Sequence, residues 1–549
     1  MLSDLIRAAE QGETLWVPDL RTAFASDPDA AKLVLRISLI HGEVRDYPLR
    51  LPRWKTSEER RFVAEFFYAN IYNLLSVCSG RELCLYSDPD DEDLTALIQT
   101  LADVFQLHQP NRRGYGKVIN IADRLCAAEG HAPFRFSVGA LQDYKPARQK
   151  RTETSDDPLA AHLQNLRRTA ESLVLCGIDI GGTDIKLCLS VDGRLICTGE
   201  YDWNPAASTT ADGILQPIVE QVSLLRSKAA RHLGLAEPPL LDAIGVSFPD
   251  IVLGDRILGG ETPKTDGLRR RTALDYEQEF RKLSGLKALL LQQCRPGASV
   301  RIINDGHMAA FTAAMELAAG GESALLQDGL IAHTLGTDLG TGWLQRDGSI
   351  PPIPLELYDL ILDLGSTPAS SVPPEDLRST RNENSGLPGA RRYLGQSAAF
   401  RLAQELDPSL LEGFTAEERG ILQIQTKPED LRKPCLEHLM QKADAGYPAA
   451  AEVFRRIGMH LAVLSSEFEY LLPTGTQVRY LYGRFIKLPS CFRLLCEGFS
   501  SRLPQFRLIA ADESLALTPL MRQLAERPDV SVAQFGQAVG ALYFGLSAL

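Results

Sequence analysis

Apolar and polar positions alternate with the period of a strand in LVLRISLI (33–40) and VRDYPLRLP (44–52), on either side of a short HGE turn, and this pattern predicts two paired strands. RRFVAEFFYANIYNLLSV (60–77) repeats its apolar residues at helical spacing. ELCLYS (82–87) predicts a third strand, and DPDDEDLTALIQTLADVFQLH (88–108) a helix whose acidic start suits the positive end of its dipole. The patterning lapses at YKPARQKRTETSDDPLA (144–160), a polar stretch with Pro, Ser and Thr that reads as a linker. Its basic cluster, Lys145, Arg148, Lys150 and Arg151, fits a solvated connection. AHLQNLRRTAES (161–172) predicts a short helix leading onward. Residues 1–150 are therefore expected to form an accessory mixed α/β domain of unassigned role, joined by residues 151–170 to the rest of the chain.

The strongest chemistry lies in LVLCGIDIGGTDIKLCLSVDGRLICTGEYDW (173–203). One apolar run ends at Asp179, Gly181-Gly182-Thr183 come next, and a second runs from Ile185 to Val191. Asp192-Gly193 then turns the chain into a third strand. A polyphosphate laid over a tight hairpin needs backbone N–H groups at close range, which glycines permit and larger side chains obstruct. Thr183 can donate to a phosphate, Lys186 can balance its charge, and Asp179 at a strand end can hold Mg²⁺ directly or through water. An ordinary Gly-rich hairpin with a solvated Asp is the bland alternative.

GIDIGGTDIK (177–186) resembles the first phosphate motif of the ROK family, which contains bacterial glucokinases, other sugar kinases and sugar-responsive repressors. The resemblance implies an α/β fold: a duplicated ribonuclease-H-like, two-lobed ATPase fold of the hexokinase, actin and Hsp70 kind, preceded here by the separate N-terminal domain. The first lobe is expected over 171–305 and the second over 306–549, ending in a closing helix. AIGVSFPDIV (243–252) is similar to the strand that opens the family's sugar pocket, which brings in Ser247. ETPKTDGL (261–268) comes next, with Lys264 and Thr265 as sugar contacts or as parts of a surface turn.

VRIINDGHMAAFTAAMELAAG (300–320) leads from a strand through Asn304 and Asp305 into an Ala-rich helix. The resemblance implies that Asp305 is the general base and that Asn304, with Asp305, touches the sugar. By itself the motif fits equally a carboxylate capping a helix. His307 is expected to be solvated or to serve as a cap. LIAHTLGTDLGTGWLQRDG (330–348) resembles the second phosphate motif, with Gly336, Thr337, Gly340 and Thr341 on the phosphates. Asp338 reads either as a water-mediated Mg²⁺ contact or as a turn residue. Glu356 matches the family's sugar-binding Glu, and the family's His position falls on Asp359. TQVRYLYGRFIKLPSCF (476–492) resembles the adenosine motif through Gly483, and QFGQAVGALYFGLSAL (534–549) the closing helix, with Gly536, Gly540 and Gly545 allowing close packing. No CxCGxxGC element occurs in the chain, so no structural zinc is expected.

Composition narrows the functional classes. Of 549 residues 44% are hydrophobic and 23% charged, as in globular proteins, and the net charge is -12. Residues 1–170 hold 22 Lys+Arg against 24 Asp+Glu. Neither balance suits a nucleic-acid partner, whose phosphates demand concentrated Lys and Arg. Ten cysteines without a CxxC pair indicate a reducing, cytoplasmic setting. No apolar run is long enough for a membrane span, and MLSDLIRAAEQGET lacks a signal-peptide core. The expected activity is ATP- and Mg²⁺-dependent phosphorylation of a small sugar, with a homodimer left open. A sugar- or nucleotide-sensing regulator is the alternative, and an ATPase that moves a protein is the third reading.

Overall fold

The structure of the protein is a computed structural model that describes residues 1–105, 117–147, 159–259, 262–265, 267–270, 272–336, 339–365, 389–422, 429–511 and 516–547. Arg148, Lys150, Arg151, Thr337 and Asp338 lie outside the described residues.

Four strands come first in the chain and form an N-terminal layer: β1 (Ala31–Ser38), β2 (Val44–Leu51), β3 (Glu82–Ser87) and β4 (Arg135–Ala140). The expected strand–turn–strand unit then starts a five-stranded sheet. Its strands are β5 (Val174–Ile180), β6 (Asp184–Val191), β7 (Arg194–Asp202), β8 (Leu241–Phe248) and β11 (Cys294–Asn304), in the order β11-β8-β5-β6-β7. The small pair β9 (Val252–Leu253) and β10 (Arg256–Ile257) lies between β8 and β11 in the chain. β5 and β8 run parallel, as do β8 and β11, while β6 is antiparallel to both its neighbours. The β6–β7 turn uses Asp192 and Gly193 at φ 48° and 70°, the paired left-handed geometry that makes Asp-Gly a hairpin turn. One face of the sheet packs against the helix Asp212–Leu233 through Ile214, Leu215, Ile218 and Val222.

The second sheet repeats this plan. β12 (Leu330–Leu335) and β13 (Leu339–Leu344) form an antiparallel hairpin; β14 (Val478–Tyr482) and β15 (Arg507–Ala510) add in parallel, giving the order β13-β12-β14-β15. If β12 is matched to β5, the pairing directions agree strand for strand, and among the described residues only a counterpart of β7 is lacking. The strand order and directions therefore identify a duplicated ribonuclease-H-like fold from the chain's own topology.

The two halves meet on the helices Asp305–Gly320 and Val532–Phe544. Both are apolar on nearly every side, as expected of helices held between layers. Gly177 and Gly245 of the first sheet lie so close to the closing helix that a Cβ would sit 1.9 Å from the carbonyls of Ala538 and Ala541. Gly540 is pressed on Thr312, and Gly545 on Gly245; Gly536 has no such close neighbour.

In the N-terminal layer the strand order is β2-β1-β3-β4. Its apolar side runs without a break into the helices of the second half. Val17, Phe24, Phe66 and Phe67 share one cluster with Phe400, Phe454, Leu461 and Phe468. Polar ties run along the same seam: Arg21 makes two hydrogen bonds to Glu467, at 2.8 and 2.9 Å, and Asn73 donates to the same carboxylate. The N–H of Val17 donates to the Leu362 carbonyl.

Candidate functional site

The first hairpin is closed by a 2.8 Å bond from the Gly181 N–H to the Asp184 carbonyl. The Trp203 indole donates to the Gly181 carbonyl at 3.1 Å. A Cβ on Gly181 would meet the Asp184 carboxylate at 2.8 Å and its carbonyl at 3.0 Å, so any larger residue would displace the Asp184 side chain. Gly182 and Thr183 stand exposed at the tip. Lys186 is held at the base of the tip, with its ammonium 2.5 Å from Asp184 and 3.8 Å from Glu200.

Asp179 closes β5 beside Ser247, its partner in β8. Burial pushes the Asp179 carboxyl up to about 6; the hydrogen bond from Ser247 opposes this, and the nearby charge of Asp305 adds to it. Ser247 is fully buried, holding Asp179 and lying 3.4 Å from Gln537. It supports Asp179 from beneath rather than lining an open pocket.

β11 delivers Asn304 and Asp305 to the head of the helix Asp305–Gly320. Asn304 is the N-cap: its Oδ1 accepts from the Gly306 N–H at 2.8 Å, while its Nδ2 donates to the Asp250 carbonyl at 2.9 Å. The Asp305 carboxylate accepts from the same Gly306 N–H through Oδ1 at 2.8 Å, yet it stays 41% exposed, and Lys264 Nζ lies 3.8 Å from its Oδ2. The Lys264 stem passes over Gly182, 3.4 Å from where a Cβ would stand. One side chain therefore spans the hairpin tip and the carboxylate. Thr265 is buried and bonded to the Thr262 carbonyl.

His307 is neither solvated nor a cap. It is buried, its Nδ1 accepts from the Trp343 N–H at 3.0 Å, and burial lowers its pKa to about 4. This neutral ring fastens the Asp305 helix to β13. Gly306 and Gly342 meet in the same contact, where a Cβ on Gly342 would fall 1.9 Å from the Gly306 carbonyl.

The second hairpin brings Gly336 to an open position with nothing within 4 Å of a built Cβ. Gly340 is held by Thr334, whose Oγ1 accepts its N–H at 3.0 Å. Thr341 points into the sheet, 3.0 Å from His333 Nδ1. Gly483 comes directly after β14 with φ 109°, and a Cβ there would lie 2.0 Å from the Leu335 carbonyl, so it fixes how closely β14 approaches the hairpin.

Beyond the Asn304–Asp250 bond lies a group of acids. Asp250, immediately after Phe248-Pro249, is buried and accepts from the Ile251 N–H at 2.7 Å. Glu356 opens the turn Leu357–Asp359. Burial pushes its carboxyl up to about 8; a bond with Tyr358 and the charge of Lys117 oppose this, whereas Asp359 and Asp250 reinforce it. Asp359 is held by Lys117 at 3.3 Å and by Arg391 at 3.6 Å. Asp250 and Lys117 had no place among the sequence-derived candidates. Asp250 carried a usable signal, an acid directly beyond a strand's carboxyl end; Lys117 carried none, since it reaches the site across 242 residues.

These residues suit a magnesium nucleotide. Asp179 provides a hard oxygen donor, Gly336 leaves the second hairpin open, and at Gly182 only the Lys264 stem lies near the backbone.

No family model matches the chain, and no curated protein matches it. Among solved structures, the chain is similar to a ROK hexokinase from Thermus thermophilus, at 16% identity and a TM-score of 0.41, covering 68% of this chain and 98% of that one. A ROK family glucokinase from Streptomyces griseus, in complex with glucose and AMPPNP, has 18% identity, a TM-score of 0.40 and coverage of 68% and 99%. A ROK family transcriptional regulator, a homolog of the E. coli MLC protein, has 12% identity, a TM-score of 0.40 and coverage of 89% and 100%. No helix among the described residues is long and apolar enough to cross a membrane.

Proposed function

We propose that the protein is an ATP-dependent kinase that phosphorylates a sugar hydroxyl. The observation that carries this reading is Lys264, whose ammonium lies 3.8 Å from the Asp305 carboxylate while its stem packs over Gly182 of the first hairpin. A carboxylate, a cation and an uncrowded Gly-rich turn at one point are what phosphoryl transfer to an alcohol requires.

Asp305 takes the proton of the acceptor hydroxyl as that oxygen attacks the terminal phosphorus. The bond between the β and γ phosphates breaks, and ADP leaves. Lys264 balances charge on the transferred group. Asn304 holds the Asp250 loop against Asp305 through its 2.9 Å bond, keeping the acceptor wall in register with the base. Glu356, neutral at pH 7 by its raised pKa, can donate a hydrogen bond to a sugar oxygen as well as accept one. Bound Mg²⁺ supplies charge neutralisation on the phosphates, and Asp179 is the residue to hold it, directly or through water.

A ligand-sensing regulator without turnover is the second reading. It is favoured by Lys186 and Thr341, whose polar groups are engaged by Asp184 and His333 rather than free for phosphate.

Mg-ATP turnover against a panel of hexoses and N-acetylhexosamines tests the choice, with Asp305→Ala alongside. The kinase reading expects sugar-dependent ADP release in the native protein and a loss of about 10²–10⁴-fold in the variant, with ATP-analogue binding kept. Near-normal turnover in the variant refutes Asp305 as the base. Sugar binding without any turnover favours the regulator.

A further inference from the structure

The helix Lys117–Ala128 belongs by sequence to the N-terminal layer, yet its polar residues reach both walls of the acceptor side. Lys117, at its first position, is 3% exposed, and its ammonium lies 3.3 Å from Asp359 Oδ2, in the turn that Glu356 opens. Two turns further on, Arg124 pairs with Glu277 through Nε at 3.1 Å and Nη2 at 2.5 Å, and it also donates to the Gly259 carbonyl. Gly259 in turn rests on Asp250, so closely that a Cβ would stand 2.0 Å from Oδ1. One helix thus grips the Glu356–Asp359 turn of the second half and the Asp250 loop of the first.

The charges give this arrangement its purpose. Asp359 and Asp250 both lie close enough to raise the pKa of Glu356, and Lys117 and Arg391 pair with Asp359. Buried acids repel and spread unless a cation holds them. A polyhydroxyl acceptor reads such a wall through hydrogen bonds of fixed length, and a displacement of about 1 Å weakens that recognition severely.

We propose that the N-terminal segment forms a third wall of the acceptor site, in which Lys117 is a positioning and specificity-determining residue for the sugar and not for the nucleotide. The proposal rests on the kinase reading above and names a part of the site that the two-lobed fold does not itself supply.

The test uses the full chain with Lys117→Met, which keeps the length of the stem and leaves Arg391 on Asp359, and with Lys117→Arg, which restores the charge. For a sugar that the native protein phosphorylates, the Met variant is expected to raise the sugar KM at least about tenfold, with the KM for Mg-ATP unchanged. The Arg variant should recover most of the loss while altering the ranking of acceptors. A sugar KM in the Met variant within about twofold of native, or an equal rise in both KM values, overturns the proposal and leaves the kinase reading standing. Lys117→Gln is read by the same criteria should the Met variant not fold. If native protein turns over no sugar, the kinase reading falls; Lys117 is then judged by calorimetry with the same panel. Sugar binding lost in the variant while an ATP analogue still binds supports the proposal, and unchanged sugar binding overturns it. Native protein that binds no sugar of the panel refutes both.

Discussion

Glu356 offers a test that needs no substrate. Its folded pKa of about 8 stands well above the ordinary 4.5, chiefly through burial. Folding therefore takes up a proton at this site throughout the intervening range, and stability is lost as pH rises from the unfolded value to the folded one. At about 1.4 kcal/mol per unit, the roughly two units between pH 6 and the folded value correspond to about 3 kcal/mol. Glu356 is only partly shielded from solvent, and solvent screening trims the expected loss to about 1–3 kcal/mol. For a cooperative unit of about 150–250 residues this is a fall in Tm of about 2–12 °C. Glu356→Gln keeps the shape and cannot ionise. Differential scanning fluorimetry of native and variant protein at pH 6 and pH 8.5 measures the contrast, and the difference between the two proteins cancels other titrations, including that of Asp179. The variant should match native protein within a few degrees at pH 6 and exceed it at pH 8.5. Parallel pH slopes would refute the claim that Glu356 is buried as a neutral acid.

Packing sets two further outcomes. Gly342→Ala drives a methyl group to 1.9 Å from the Gly306 carbonyl; the Asp305 helix must move, at a cost of about 1–3 kcal/mol or more, so both thermal midpoint and kcat should fall, and an unchanged kcat would show that this contact does not position Asp305. Glu467→Ala strips a fully buried carboxylate from Arg21 and Asn73 and should cost about 3–5 kcal/mol, measured by denaturant titration; a loss below about 1 kcal/mol would mean that the seam between the N-terminal layer and the second half is held by apolar contact alone.

The first hairpin was legible because its signals are local. Asp179, the glycines and Asp192-Gly193 lie within one strand–turn–strand unit, and turn chemistry acts over a few residues. Asn304 and Asp305 were legible for the same reason, although both accept from the Gly306 N–H at 2.8 Å and only the extended backbone of Asn304, at φ -62° and ψ 147°, makes it the cap. Thr341 and Ser247 show where such reading stops. Both lie in strands, where a side chain's face depends on register: Thr341 pairs with His333, and Ser247 with Asp179. Neither partner can be chosen without the sheet. Of the acid group the sequence named Glu356 and Asp359 but not their surroundings, because the cation Lys117 comes from a distant segment. Lys117 heads a helix with an ordinary amphipathic face, and nothing in its neighbourhood along the chain announces Asp359.

The apolar seam between the N-terminal layer and the helices of the second half also bears on how the chain is made. Arg21 finds Glu467 across 446 residues. At about 5–20 residues per second, a ribosome needs roughly 20–90 s to cover that interval. Throughout that time the face bearing Val17, Phe24, Phe66 and Phe67, packed on its own strands, lacks the later helices that complete its cluster. A nascent protein in this state presents the kind of surface that holding chaperones bind. Its yield in a cell should therefore depend on translation speed and chaperone supply more than on the stability of the finished fold.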